Sequence, residues 1–126
     1  MAIESQLARR SICQLETIGR RTGKPHLIDI WFAADPARDR IYFLSGGRDG
    51  ADWLLNLRRQ PSVRVRIADR WFGGRASEIE DGPDDGLARR LVGAKYQAWT
   101  RGRRLSSWAR NSLPVAVDLL EGGAQE

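Results

Sequence analysis

The clearest pattern in the chain lies at Ser62 to Ala68, where Val63, Val65 and Ile67 alternate with Arg64 and Arg66. A period of two puts one set on a buried face and the arginines on the other, so the segment reads as a half-buried strand. The same alternation runs through Ser11 to Ile18, with Cys13, Leu15 and Thr17 opposite Gln14 and Glu16. It recurs from Leu27 to Ala33, with Ile28, Ile30 and Phe32 opposite Leu27, Asp29 and Trp31. Ile41 to Leu44 forms a hairpin with that strand across Asp35-Pro36, a turn opener. Trp71 to Glu80 reads as a strand whose Gly73-Gly74 pair signals a bulge or a close backbone approach. A last strand carries Val115, Val117 and Leu119 inward.

Helical spacing appears between these strands. Ala51 to Arg59 is predicted as a helix that stops before Pro61, with Asp49 or Asp52 as its capping residue. Leu87, Leu91, Ala94 and Ala98 trace one face of a longer helix through Trp99, and Leu105 to Asn111 allows a short one. Six strands, two or three helices and no β-α-β rhythm predict a mainly β (α+β) fold, a six-stranded antiparallel barrel with helices flanking it. Residues 1–126 read as a single domain, with 1–10 and 121–126 as frayed ends.

Composition narrows the chemistry. A chain of 126 residues buries enough surface to fold without staples. Cys13 and His26 are the only residues of their kind, so neither a disulfide nor a tetrahedral zinc site is available, and no metal is expected. No serine sits in a G-x-S-x-G turn. If the protein is an enzyme, an organic cofactor carries the reaction. No segment approaches the roughly 20 apolar residues of a membrane span, and a cytoplasmic protein is expected. The net charge of +5 rests on arginine, Lys24 and Lys95 being the only lysines. Arginine binds planar anions bidentately, so the excess marks either an anionic partner or a solvated surface. Arg58, Arg59, Arg64 and Arg66 permit nucleic-acid binding, but no aromatic is interleaved on that strand to stack a base, and this reading ranks last.

Three segments can carry chemistry. Gly19-Arg20-Arg21-Thr22-Gly23-Lys24-Pro25 combines cations, a hydroxyl and permissive glycines, which suits either a phosphate or a plain solvated turn. Ser45-Gly46-Gly47-Arg48 leads into a helix bearing Trp53 and Asn56; its start offers N–H donors to an anion, while Trp53 equally suits the core. Asn56, polar between Leu55 and Leu57, requires a reason. In Lys95-Tyr96-Gln97-Ala98-Trp99 the tyrosine is placed either to hydrogen-bond or protonate a substrate or to anchor the helix, and Trp99 either walls a flat pocket or packs with it.

The ordered succession of Leu15 to Pro25, Ser45-Gly46-Gly47 and Asp52 to Val65, ending in Leu113-Pro114-Val115-Ala116-Val117, resembles the deazaflavin-dependent nitroreductase family. That group, also called F-420-dependent quinone reductases, lies in the flavin-binding split-barrel superfamily. The resemblance covers about residues 14 to 120. It implies a split β-barrel, commonly a homodimer, that binds coenzyme F-420 and passes a hydride to a small-molecule electron acceptor, a quinone, enone or nitroaromatic. By the same resemblance Arg20, Arg21, Thr22, Gly23 and Lys24 meet the coenzyme's phosphate and acidic tail, Ser45, Gly46, Gly47, Trp53 and Asn56 line its site, and Tyr96 assists the substrate. His26 stands where many members have arginine, and the short Ser45 loop lacks the lysine that some place directly after the serine, Arg48 being the nearest substitute. The alternatives are FMN as cofactor on the same fold, or a non-catalytic flavin or pigment carrier.

Overall fold

The computed structural model describes residues 3–125, with side chains through residue 120. Seven strands form one antiparallel sheet: β1 (Cys13–Ile18), β2 (Pro25–Ile30), β3 (Ala33–Asp35), β4 (Arg40–Ser45), β5 (Ser62–Ile67), β6 (Arg70–Glu78) and β7 (Leu113–Gln125). Four helices accompany it: α1 (Ser5–Ala8), α2 (Asp52–Arg59), α3 (Pro83–Tyr96) and α4 (Ser107–Asn111). No helix among the described residues is long and apolar enough to cross a membrane.

The strand order is β2-β1-β5-β6-β7-β4-β3. Its two edge strands are consecutive in sequence, separated only by Trp31 and Phe32. Three residue steps reach at most about 11 Å, so the sheet must roll until its edges come together. The result is the split barrel expected, with seven strands in place of six, because the predicted strand Leu27 to Ala33 breaks at Trp31-Phe32 into β2 and β3.

Alternation fills the barrel. Leu15, Ile41, Phe43, Val65, Phe72, Val115 and Val117 are fully buried inside it, each contributing about 1.5–3 kcal/mol. Strand β4 is buried on both faces, because Tyr42 and Leu44 point outward under α3 and α4 against Ala88, Val92 and Ala109. The expected irregularity in β6 falls between Phe72 and Gly74, and a Cβ on Gly74 would lie 2.5 Å from Val117 Cγ1.

Several boundaries differ from expectation. Helix α3 ends at Tyr96, short of the expected Trp99; at its start, Pro83 suits the first turn and Asp84 and Asp85 complement the dipole. The segments expected to fray hold structure: Ile3 and Leu7 are buried around α1, and β7 runs to Gln125, pairing with Trp71 and Phe72. Residues 1, 2 and 126 of those segments lie outside the described residues.

Candidate functional site

The β1–β2 hairpin ends in a tight turn. Gly19 N–H donates to the Lys24 carbonyl and Gly23 N–H to the Gly19 carbonyl, both at 2.8 Å. The Thr22 hydroxyl accepts the Lys24 N–H at 3.2 Å. Gly23 adopts φ +71°, a left-handed conformation that glycine takes without a Cβ penalty. A Cβ on Gly19 would lie 2.6 Å from His26 Nε2, so that position is held to glycine by the neighbouring ring.

Helix α2 grips this turn. Asn56, only 4% exposed, accepts the backbone N–H of Arg20 at 3.1 Å and its guanidinium Nη1 at 2.9 Å. The Asn56 amide donates to the buried Thr17 hydroxyl at 3.2 Å. Asp52 pairs with Arg20 Nη2 at 3.1 Å instead of capping the helix, and Asp49 pairs with Arg58. The polar residue between two leucines is therefore explained: it fastens the turn to the barrel. A cavity of about 190 Å³ opens here, lined by Gly19, Arg20, Arg21, Thr22, His26, Asp52 and Asn56.

The cations of the turn divide into two kinds. Arg20 is committed to Asn56 and Asp52, whereas the exposed Arg21 and Lys24 form no ion pair among the described residues. Arg48 is also committed, its guanidinium Nη1 donating to the Asn111 carbonyl at the end of α4.

The other predicted residues fall elsewhere. Ser45 is buried and its hydroxyl donates to the Arg48 carbonyl at 3.1 Å. Gly46 faces Trp108, whose Nε1 would lie 2.4 Å from a Cβ there, and Gly47 closes on Ala51. Trp53 meets Phe43 edge-on at 6.0 Å and packs on the barrel core. Thus Arg20, Arg21, Thr22 and Asn56 share the cavity, Gly23 and Lys24 complete its turn, and the Ser45 loop joins it through the start of α2.

Tyr96 does not reach this cavity. Its hydroxyl accepts the Phe32 N–H at 3.0 Å and lies 2.8 Å from the Ser11 carbonyl and 3.0 Å from that of Phe32. It sits at the Cys13↔Ile30 end of the hairpin, five residue steps, or roughly 17 Å, from the Ile18↔Pro25 end. Burial raises its pKa above the ordinary tyrosine value, the Phe32 backbone opposing. Beside it Lys95 lies 3.7 Å over the Phe32 ring, donates to the Ala8 carbonyl at 3.1 Å, and is pulled down to about 8 by burial. The predicted pocket wall Trp99 ties the following loop together, donating to the Arg103 carbonyl at 2.7 Å. Asp52 and Thr17 also belong to the network around Arg20 and Asn56; of the two, only Asp52 carries a sequence signal, its place one turn before Asn56.

A family model described as F420H(2)-dependent quinone reductase matches residues 2–119. The fold is also found in solved structures. One described as an F420-H2 dependent reductase (FDR-A) is 22% identical with a TM-score of 0.63, over 88% of this chain and 95% of that one. Another, described as an F420 reductase, is 20% identical with a TM-score of 0.64, over 95% and 94%. A third, described as a domain-swapped dimer, is 18% identical with a TM-score of 0.65, over 88% and 81%.

Proposed function

The chain belongs to the F-420-dependent quinone reductase family, an oxidoreductase family whose reductant is reduced coenzyme F-420, and from that premise we propose that it transfers a hydride to a quinone, enone or nitroaromatic acceptor. When bound, the coenzyme supplies the hydride. The chain's own residues bind, orient and exclude water.

The observation that carries the assignment is the braced turn over the cavity. Arg20, held by Asn56 and Asp52, fixes the turn's shape and leaves Arg21 and Lys24 as unspent cations beside the Thr22 hydroxyl. That donor set fits a phosphodiester with a carboxylate tail. Ser45, Gly46, Gly47 and Trp53 pack the entry to α2, the helix that brings Asp52 and Asn56 to the cavity. Tyr96 holds the break between β2 and β3 in place, and the proton that completes reduction of the acceptor comes from solvent, because the tyrosine hydroxyl is spent on backbone.

A second copy covers the outward sheet face. Leu27, Glu16, Arg64 and Gly73 lie in one cross-strand row, with Leu120 beside Gly73, and the two leucines are 48% and 53% exposed. Trp71 lies on the same face, 4.2 Å beneath the Arg64 guanidinium. Such a face suits a homodimer.

Anaerobic titration with coenzyme F-420, followed by mixing the reduced form with a quinone, tests the reading. The deazaflavin absorbance returns at a rate proportional to enzyme. No reoxidation with quinone, enone or nitroaromatic acceptors would overturn it.

A further inference from the structure

The positive charge of the chain is not spread evenly. Between Asp85 and Asp118 the sequence holds seven cations and no carboxylate. The whole excess of +5, 21 cations against 16 carboxylates, resides there, since elsewhere 14 cations face those same 16. Three of the seven are spent: Arg89 pairs with Asp85, Lys95 donates to the Ala8 carbonyl, and Arg110 donates to that of Leu105. The guanidiniums of Arg103 and Arg104 have no hydrogen bond or ion pair among the described residues.

Those two arginines belong to a loop that is built as a cup. Helix α3 is anchored just before it, the Tyr96 ring stacking on Trp31 with centroids 4.4 Å apart and planes within 2°. The Gly93 carbonyl accepts the N–H groups of Gln97 and Trp99 at 2.8 and 3.1 Å, and the Arg103 N–H donates to the Thr100 carbonyl at 3.0 Å. The Trp99 indole N–H holds the Arg103 carbonyl, and the Ser106 hydroxyl holds the Gln97 side-chain oxygen. Ala98, at φ +54°, is left-handed, a conformation that an alanine keeps only where its surroundings fix it. The cup encloses about 330 Å³, lined by Gln97, Trp99, Arg103, Arg104 and Ser106 over Gly93. It shares no lining residue with the turn cavity.

We propose that this cup is a second binding site, which takes a small molecule joining a phosphate monoester to a flat ring, as a nucleoside monophosphate does. A phosphate monoester carries about −1.5 to −2 charge near neutrality and several acceptor oxygens, which matches two unpaired guanidiniums; a lone carboxylate would answer only one of them. Trp99 supplies an apolar wall for the ring. The Gln97 amide N–H groups, left without an acceptor among the described residues once Ser106 holds the side-chain oxygen, add a neutral donor. The cup lies at the C-terminal end of α3, whose dipole opposes an anion with about half a charge. Two full charges outweigh it, and the Gly93 carbonyl is already spent on two N–H groups. The volume falls at the lower end of the roughly 300–1,000 Å³ of small-molecule sites, which suits a mononucleotide.

Equilibrium dialysis of AMP against the full chain in low salt tests the site, and it needs neither coenzyme nor acceptor. AMP should bind, with adenosine and inorganic phosphate each weaker by about tenfold or more. Replacing both Arg103 and Arg104 by glutamine should weaken AMP by about tenfold or more, because charge-assisted hydrogen bonds are lost. The melting temperature should hold, since the loop is braced by the Arg103 backbone and by neither guanidinium. Arg104→Gln alone decides the question if the double variant fails to fold. Replacing Arg21 and Lys24 by alanine should leave AMP affinity within about twofold. No AMP binding by the parent chain, adenosine binding as tightly as AMP, or affinity unmoved by the glutamine substitutions would each overturn the proposal. So would loss of AMP binding in the Arg21 and Lys24 variant, which would move the phosphate to the turn cavity.

Discussion

The Tyr96 hydroxyl and the Phe32 backbone form a joint across 64 residues, the hydroxyl accepting the Phe32 N–H at 3.0 Å where the rolled sheet passes from one edge strand to the other. A strand break normally leaves backbone groups to water, and here Phe32 is fully buried, so the break survives only because α3 delivers a donor and acceptor to it. The joint also explains why the tyrosine's ring lies flat under Trp31.

Tyr96→Phe should therefore act on stability first. Removing the hydroxyl strands the Phe32 N–H and costs about 1–3 kcal/mol. Thermal melts should show that loss, while kcat measured well below the melting temperature stays within a few fold. A hundredfold drop in kcat at unchanged stability would make the hydroxyl a proton donor after all.

How much of this was legible in the sequence follows from range. The alternation in Val63, Val65 and Ile67 is local, and β5 forms where it predicts. The break at Trp31-Phe32 carries no glycine or proline; it depends on a tyrosine far along the chain, and a strand running on to Ala33 was the natural expectation. Asn56 announced itself as a polar residue on an apolar stretch, yet its partners Arg20 and Thr17 lie 36 and 39 residues away. Spacing marked the residue; only the packed hairpin shows that it braces a turn.

Asn56→Ala should separate brace from ligand. Two acceptor bonds and one donor bond are lost at a buried site, so a cost of about 1–3 kcal/mol is expected. Coenzyme affinity should fall with it, because Arg21 and Lys24 lose their fixed turn. Arg21→Ala, on an exposed side chain, should lower affinity while shifting stability by no more than about 0.5 kcal/mol. Equal melting temperatures for the Asn56→Ala variant and the parent chain would contradict the brace.

Lys95 should give the protein an alkaline rise in stability. Its folded pKa, about 8, lies below the unfolded value because burial outweighs the opposing charge interaction with Cys13. Between those values the unfolded chain binds more protons, so stability increases with pH from about 8 upward. Cys13, pushed up to about 12 by burial, acts in the opposite sense once pH passes the ordinary thiol range. A melt series from neutral to mildly alkaline pH should rise in the parent chain and flatten in Lys95→Met. A rise of equal size in the variant would assign it elsewhere.

Cofactor preference should be modest and salt-dependent. Coenzyme F-420 presents a phosphodiester and carboxylates, FMN a single phosphate. The turn offers the longer anion only two free cations, Arg21 and Lys24, since Arg20 is tied to Asn56 and Asp52, and Arg48 to Asn111. Each exposed pair contributes about 0.2–1 kcal/mol, so the two together favour coenzyme F-420 over FMN by roughly twofold to thirtyfold. The screening length falls from about 30 Å at 0.01 M salt to about 3 Å at 1 M, which should collapse most of that ratio. Replacing both Arg21 and Lys24 by alanine should collapse it at low salt as well, without loss of fold. Parallel titrations of the two cofactors at both salt concentrations, in the parent chain and the double variant, measure all three effects. Tighter FMN binding throughout, or a ratio indifferent to salt, would remove these two cations from the coenzyme's anionic end.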